Sequence, residues 1–248
     1  MPGFDLRILA AVVFAFVVAF SGTPSHAERQ TRSPQIRTAA DVRCQVPKAP
    51  VIQILPKTAA IRYDFSKTTK QLTAQGSNTV NPYAASVDSS TGGLRADQPE
   101  MKSNIRMGTQ TYPDLKVGCL WYDSIVVNIN MNPVIYIAQE YQQDPCKADI
   151  MEHELKHVTV DREVMGRYAQ EVGKAVQAAV NQAGAMGPFN VDEMNSYQDR
   201  YISHVKSAIN SQELLLTKDM RQRQGQIDTR EEYDRVSKIC KDVIRKNR

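Results

Sequence analysis

Two histidines four residues apart, with a glutamate directly after the first, stand at His153-Glu154-Leu155-Lys156-His157. On an α-helix, positions i and i+4 lie about 40° apart on one face. Two imidazoles so placed can reach one Zn2+ at about 2.0–2.1 Å each. Glu154 leans over the same point. There it can take a proton from zinc-activated water and pass it to a leaving amine. The pattern is HExxH, and the chemistry it predicts is zinc-dependent hydrolysis of a peptide bond with Glu154 as general base. The bland alternative is a surface helix whose histidines happen to be spaced by four.

A catalytic zinc takes three protein ligands plus water, so His153 and His157 need a third. Glu232 is the preferred choice. On a helical wheel it shares the side of Val236, Ile239 and Val243, and a carboxylate facing a core needs a partner. A competing reading is a capping box at Thr229-Arg230-Glu231-Glu232, with Glu232 folding back on the Thr229 N–H. His204, at the border of an apolar helix face, is an alternative ligand or oxyanion stabiliser. Asp161 continues the motif face but lies about 12 Å along the helix from His153. It fits better as the acceptor that orients the His157 ring. Tyr233 is the candidate oxyanion donor. No glycine turns the chain toward a nearby third histidine, so the metzincin pattern is absent.

The motif needs a helix, and the sequence supplies one. Asp144 can cap it, Pro145 suits its first position, and Gly184 to Pro188 end it. Met151, Leu155, Val158, Met165, Tyr168, Val172, Val176 and Ala179 form its apolar stripe. A second helix is expected from about Val191 to Arg223, with Val205, Ala208, Gln212 and Leu215 on its buried face. A third starts near Thr229. The stretch Gln222–Gln226 reads as an exposed helix end. Before the motif lie β-prone runs. Val51–Leu55 and Ile61–Phe65 read as a hairpin-type pair around Pro56-Lys57-Thr58, and Ser103–Tyr112 as a strand. Val117–Met131 is the strongest strand, with Ile125, Val127, Ile129 and Met131 on one face. Pro133 and the run Val134–Ala138 suggest a sheet edge, along which a peptide could add as a further strand. Strands first and helices after give an α+β fold: a small antiparallel sheet in the N-terminal half packed on a helical C-terminal half.

The chain of 248 residues carries 31 Lys and Arg against 27 Asp and Glu, a net charge of +4, too weak a balance to argue for nucleic acid. Residues 1–27 read as a signal peptide: Arg7, an apolar run Ile8–Phe20, and small residues before Ala27. The run is too short for a comfortable membrane span, so no stable span is expected after cleavage. Residues 28–45 read as a flexible leader and 46–248 as a single zincin-like domain. Cys44, Cys119, Cys146 and Cys240 are an even set in an exported chain and admit three pairings. The expected one is Cys44–Cys119, tying the domain start to a strand, with Cys146–Cys240, tying the last helix to the motif helix.

Pro133-Val134-Ile135-Tyr136-Ile137-Ala138, then Cys146, HExxH with Val158, Asp161-Arg162, Ile227-Asp228-Thr229, Glu232-Tyr233 and Cys240 resemble a family of secreted bacterial proteins of unknown function described as zinc-dependent proteases. The similarity runs from about Val51 to Cys240. It implies a protein of the Gram-negative envelope, periplasmic or secreted, with zinc at His153 and His157 and Glu154 as base. Relatives carry a third histidine near residues 227–233, where this chain has none; Glu232 could substitute. The expected activity is that of an exported zinc metallopeptidase acting on a peptide or protein of the cell envelope. The alternatives are a non-catalytic envelope protein with a structural or vestigial metal, and a cell-wall amidase.

Overall fold

The computed structural model describes residues 38–75, 82–83 and 90–246. The expected signal peptide and the first part of the leader lie outside the described residues. The stretch 38–44 is part of the fold. Thr38 and Asp41 close a capping box around a short 3-10 turn, Val42 is buried, and Cys44 is bonded to Cys119.

The strands are β1 (Val51–Thr58), β2 (Arg62–Asp64), β3 (Gly93–Ala96), β4 (Glu100–Tyr112), β5 (Val117–Met131), β6 (Val134–Ile137) and β7 (Met186–Asn190). The helices are α1 (Thr69–Gln75), α2 (Cys146–Ala183), α3 (Met194–Ile227) and α4 (Arg230–Lys246). Mixed α and β content, with the main sheets ahead of the long helices, is the architecture expected.

The sheet topology differs from expectation in three respects. First, β1 and β2 do not form a hairpin. β1 runs parallel to β5, from Val51 opposite Ser124 to Thr58 opposite Met131. β2 runs parallel to β6, from Arg62 opposite Val134. Segments 51–64 and 124–136 thus travel side by side, and both break at the same level. There the Ala59 N–H donates to the Met131 carbonyl and the Arg62 N–H to that of Pro133. Pro56-Lys57-Thr58 offers none of the glycine or asparagine residues that a tight reversal favours, so the chain continues forward.

Second, the sheets are mixed rather than antiparallel. One has the order β1-β5-β4, with β7 also paired to β5; the other is β2-β6-β3. Third, the 125–138 region is not an edge. β5 and β6 are each the central strand of their sheet, so no peptide can add there. Pro133 falls in the gap between β5 and β6, where no ladder bond is required of it. β3 is an edge strand of the second sheet, and its Gly93 lies against Glu154 of the motif.

Ile125, Val127, Ile129 and Met131 of β5 are all buried, as the alternation requires. They face Val164, Met165, Val172 and Val176 of α2, and Val205, Ile209 and Leu216 of α3. A second cluster, with Ile135, Ile137, Ile150 and Val158, surrounds the Cys146–Cys240 bond. Both disulfides pair as expected.

α2 and α3 pack antiparallel along most of their length. Tyr168 of α2 donates its hydroxyl to the Leu215 carbonyl of α3, and His157 meets Gln224. The buried face of α3 drifts from the expected stripe after Val205. It runs through Ile209, Leu216, Met220 and Gln224, whereas Leu215 is half exposed. This register carries the end of α3 to the motif on α2. No helix among the described residues is long and apolar enough to cross a membrane.

Candidate metal centre

α2 places His153 and His157 one turn apart on its buried face, with Glu154 beside them. The three are 7%, 4% and 5% exposed. The two rings meet edge to face, with centroids 4.9 Å apart. α3 ends at Ile227, and the next residue, Asp228, turns its carboxylate back onto the pair. Asp228 Oδ1 lies 3.1 Å from His153 Nε2 and 3.0 Å from His157 Nε2, and the two Nε2 atoms are 3.3 Å apart. Three donor atoms, two imidazole nitrogens and one carboxylate oxygen, therefore form a nearly equilateral triangle. A tetrahedral zinc with ligands at 2.0–2.1 Å has donor–donor edges of about 3.3 Å. The buried group His153, His157 and Asp228 could hold a metal ion.

Each histidine has an acceptor behind it, which leaves Nε2 to face the triangle. His153 Nδ1 lies 3.3 Å from Glu232 Oε1. His157 Nδ1 donates to Gln224 Oε1. The Gln224 amide nitrogen donates to the His157 carbonyl at 3.1 Å and to Asp161 Oδ1. Asp161 in turn pairs with Arg95 of β3.

Glu232 thus stands behind His153, not in the triangle. Its carboxylate accepts from Lys156 Nζ at 2.8 Å and from Arg235 Nε at 2.9 Å. The Arg235 bond first, then Lys156 and His153, hold its pKa well below the usual carboxylate range. It does not fold back on the Thr229 N–H, which donates to the Ile227 carbonyl. Only half of the capping box forms, with the Glu232 N–H donating to Thr229 Oγ1. The carboxylate facing the two Nε2 atoms belongs instead to Asp228, one residue past the end of α3. Asp161 does not touch the His157 ring, because Gln224 stands between them.

His204 is remote from the cluster. It is exposed on α3 and shares a surface depression with Gln182, Ala183, Tyr197 and Tyr201. Gln182 is 25 residues beyond His157, about 38 Å along α2. That distance excludes His204 as a ligand or oxyanion donor here. Tyr233 is at the site, with its ring edge-on to His153 at 5.8 Å. Burial, and then the charge of Asp228 against its hydroxyl, keep its pKa far above the ordinary value, so the hydroxyl stays protonated.

β3 lies against Glu154. The Arg95 backbone N–H donates to the Glu154 carboxylate, and a Cβ on Gly93 would stand 2.7 Å from Glu154 Oε1. Burial pushes the Glu154 carboxyl up, against the pull of His157 and His153. A cavity of about 540 Å3, lined by Arg62, Tyr63, Phe65 and Tyr136, lies along β2 and β6 and includes none of these groups.

Gln224 and Asp228 are the residues that sequence reasoning missed. The available signal was the buried stripe of α3, which reaches Gln224 four residues after Met220 and Asp228 four residues later. No family model matches the chain, and neither a curated protein nor a solved structure matches it.

Proposed function

We propose that this chain is an exported zinc metallopeptidase with His153, His157 and Asp228 as the zinc ligands and Glu154 as general base. The observation that carries the reading is the triangle of Nε2, Nε2 and Oδ1, its edges matched to a tetrahedral zinc, beside a buried glutamate. Zinc, when bound, supplies a Lewis acid for a scissile carbonyl and makes water a nucleophile near neutral pH.

The chain's own residues then do the following. Glu154, with its basicity raised by burial, takes the proton of the attacking water at its carboxylate and delivers it to the departing amine. The Arg95 N–H fixes that carboxylate. Tyr233, protonated at all working pH values, donates to the oxygen that gains charge. β3, an edge strand beside Glu154, offers backbone groups to an extended peptide. The resemblance to secreted zinc-dependent proteases and the two disulfides fit an oxidising envelope compartment.

The test is zinc content and hydrolysis measured together on a panel of unfolded protein and cell-wall peptide substrates. We expect about one zinc per chain, lost in His153→Ala/His157→Ala. Glu154→Gln keeps the zinc and loses cleavage by about 10²–10⁴-fold. Wild-type cleavage in Glu154→Gln overturns the assignment. The burial of all three donors favours a second reading, a structural metal in a non-catalytic envelope protein. A fourth protein ligand, with no exchangeable position on the bound metal, would decide for it.

A further inference from the structure

β4 lies against β5 on one side, and no strand among the described residues pairs with its other side. A bare edge offers its N–H and C=O groups to another chain unless it is blunted. The other free edges are blunted. β2 and β3 are three and four residues long, and β1 and β7 carry Pro56 and Pro188. β4 runs for 13 residues without a proline.

Two bonds show which of its groups are bare. The Met101 N–H donates to Glu213 Oε1 of α3 at 3.4 Å, so Met101 faces away from β5. The Ala59 N–H meets the Met131 carbonyl, so the odd-numbered residues of β5 bond toward β1 and leave Ser124, Val126, Asn128 and Asn130 for β4. Alternation then turns the backbone groups of Met101, Ser103 and Ile105 outward. This stretch is bounded by the start of β4 at Glu100 and by the bulge after Arg106. Glu100, Lys102, Asn104 and Arg106 are exposed on the face turned away from the helices. Just past Glu213, Leu214 and Leu215 are 73% and 49% exposed.

Glu100 to Arg106 is complementary to itself. Two copies laid antiparallel about Ser103 set Met101 against Ile105 and Ser103 against its counterpart, each pair exchanging both backbone bonds. The same register sets Glu100 opposite Arg106, twice by symmetry, and Lys102 opposite Asn104. Centring on Lys102 instead sets that lysine against itself, and centring on Asn104 sets Lys102 against Arg106. Within one chain Glu100 meets Lys102 at 2.9 Å and Arg106 meets Asp123 at 3.1 Å. Glu100, Lys102 and Arg106 are each more than half exposed, so these pairs cost little to rearrange.

We propose that the outer edge of β4 is an interface for a second copy of this chain, which continues the sheet across a two-fold axis at Ser103 with Glu100 and Arg106 paired between chains. The partner copy's backbone takes the Met101 N–H from Glu213, and the exposed leucines lie beside the joint. The inference does not draw on the metal centre.

Sedimentation of the purified, disulfide-bonded chain at rising concentration tests it. We expect the mass to rise from one chain to two. Arg106→Glu sets like charges opposite Glu100 at both ends and should weaken association about 10–100-fold. Glu100→Arg should do the same. Glu100→Arg/Arg106→Glu exchanges the charges and should restore it. That double variant lacks the Asp123 pair as Arg106→Glu does, so its recovery separates the contact between chains from any change within one. Amide exchange locates the joint. Ser103 and Ile105 should slow as concentration rises in the wild type and the double variant, but not in Arg106→Glu at the same concentration. A chain that stays single at millimolar concentration overturns the proposal. So does a dimer indifferent to Arg106→Glu, one that the exchanged pair fails to restore, or one in which these two amides stay fast.

Discussion

Asp228 and Glu232 are both acidic, both near His153 and four residues apart, yet they are placed for different work. Asp228 Oδ1 is within 3.1 Å of both Nε2 atoms, whereas Glu232 is held by Lys156 and Arg235 behind Nδ1. Asp228→Ala should therefore lose zinc by far more than the 10–100-fold expected of an outer partner, and Glu232→Gln should stay within about that range. Equal losses in a chelator titration would refute the distinction. Gly93 gives a second prediction. A Cβ there would meet Ile150 Cγ2 at 2.4 Å and Glu154 Oε1 at 2.7 Å. Gly93→Ala should displace the base and lower hydrolysis by about a hundredfold while zinc affinity holds. Glycine is required by this close approach, not by its backbone angles.

At the scale of elements, the site depends on three helices meeting. α2 brings the motif, the end of α3 brings Gln224 and Asp228, and α4 brings Glu232 and Tyr233. The Cys146–Cys240 bond clamps α4 to the first residue of α2, closing 94 residues of chain. Cys44–Cys119 closes 75 residues at the other sheet, away from the donors. Replacing either pair by serine should cost about 2–5 kcal/mol in denaturant unfolding. Only loss of Cys146–Cys240 should also weaken zinc, because only that bond fixes α4 against the motif. Equal zinc affinity in the two serine pairs would show that α4 is held by packing alone.

For the whole molecule, metal and proton compete for the same atoms. In the metal-free protein burial lowers the pKa of His153, but the Asp228 bond and the charges of Glu154 and Asp228 outweigh it and leave the value above 6.5. A histidine raised in this way contributes stability that is fully present below about pH 6.5 and is lost as pH rises through its folded value. Zinc needs the neutral ring, so its contribution runs the other way. The gap in thermal midpoint between zinc-loaded and chelator-treated protein should widen from about pH 6 to pH 8. At a zinc excess of about a hundredfold over Kd it corresponds to roughly 2.7 kcal/mol. A gap independent of pH would argue against histidine ligands.

What the sequence determined by itself is what local physics encodes. The β5 alternation, the span of α2 to Ala183 and the start of α4 follow from periodicity and stop signals read over a few turns. The sequence left three disulfide pairings open, and the structure has the one expected; HExxH announced its face because i and i+4 neighbours are fixed by helix geometry. The third donor was not legible. Which carboxylate reaches the pair depends on how far α3 slides along α2, and that register is set by the packing of Leu216, Met220 and their neighbours across some 30 residues. A slide of one helical turn would exchange Asp228 for another side chain without altering any local signal. The same holds for β1 and β2. Each reads as a strand, but only the long-range ladders to β5 and β6 decide that they run parallel and leave β3 at the edge beside Glu154.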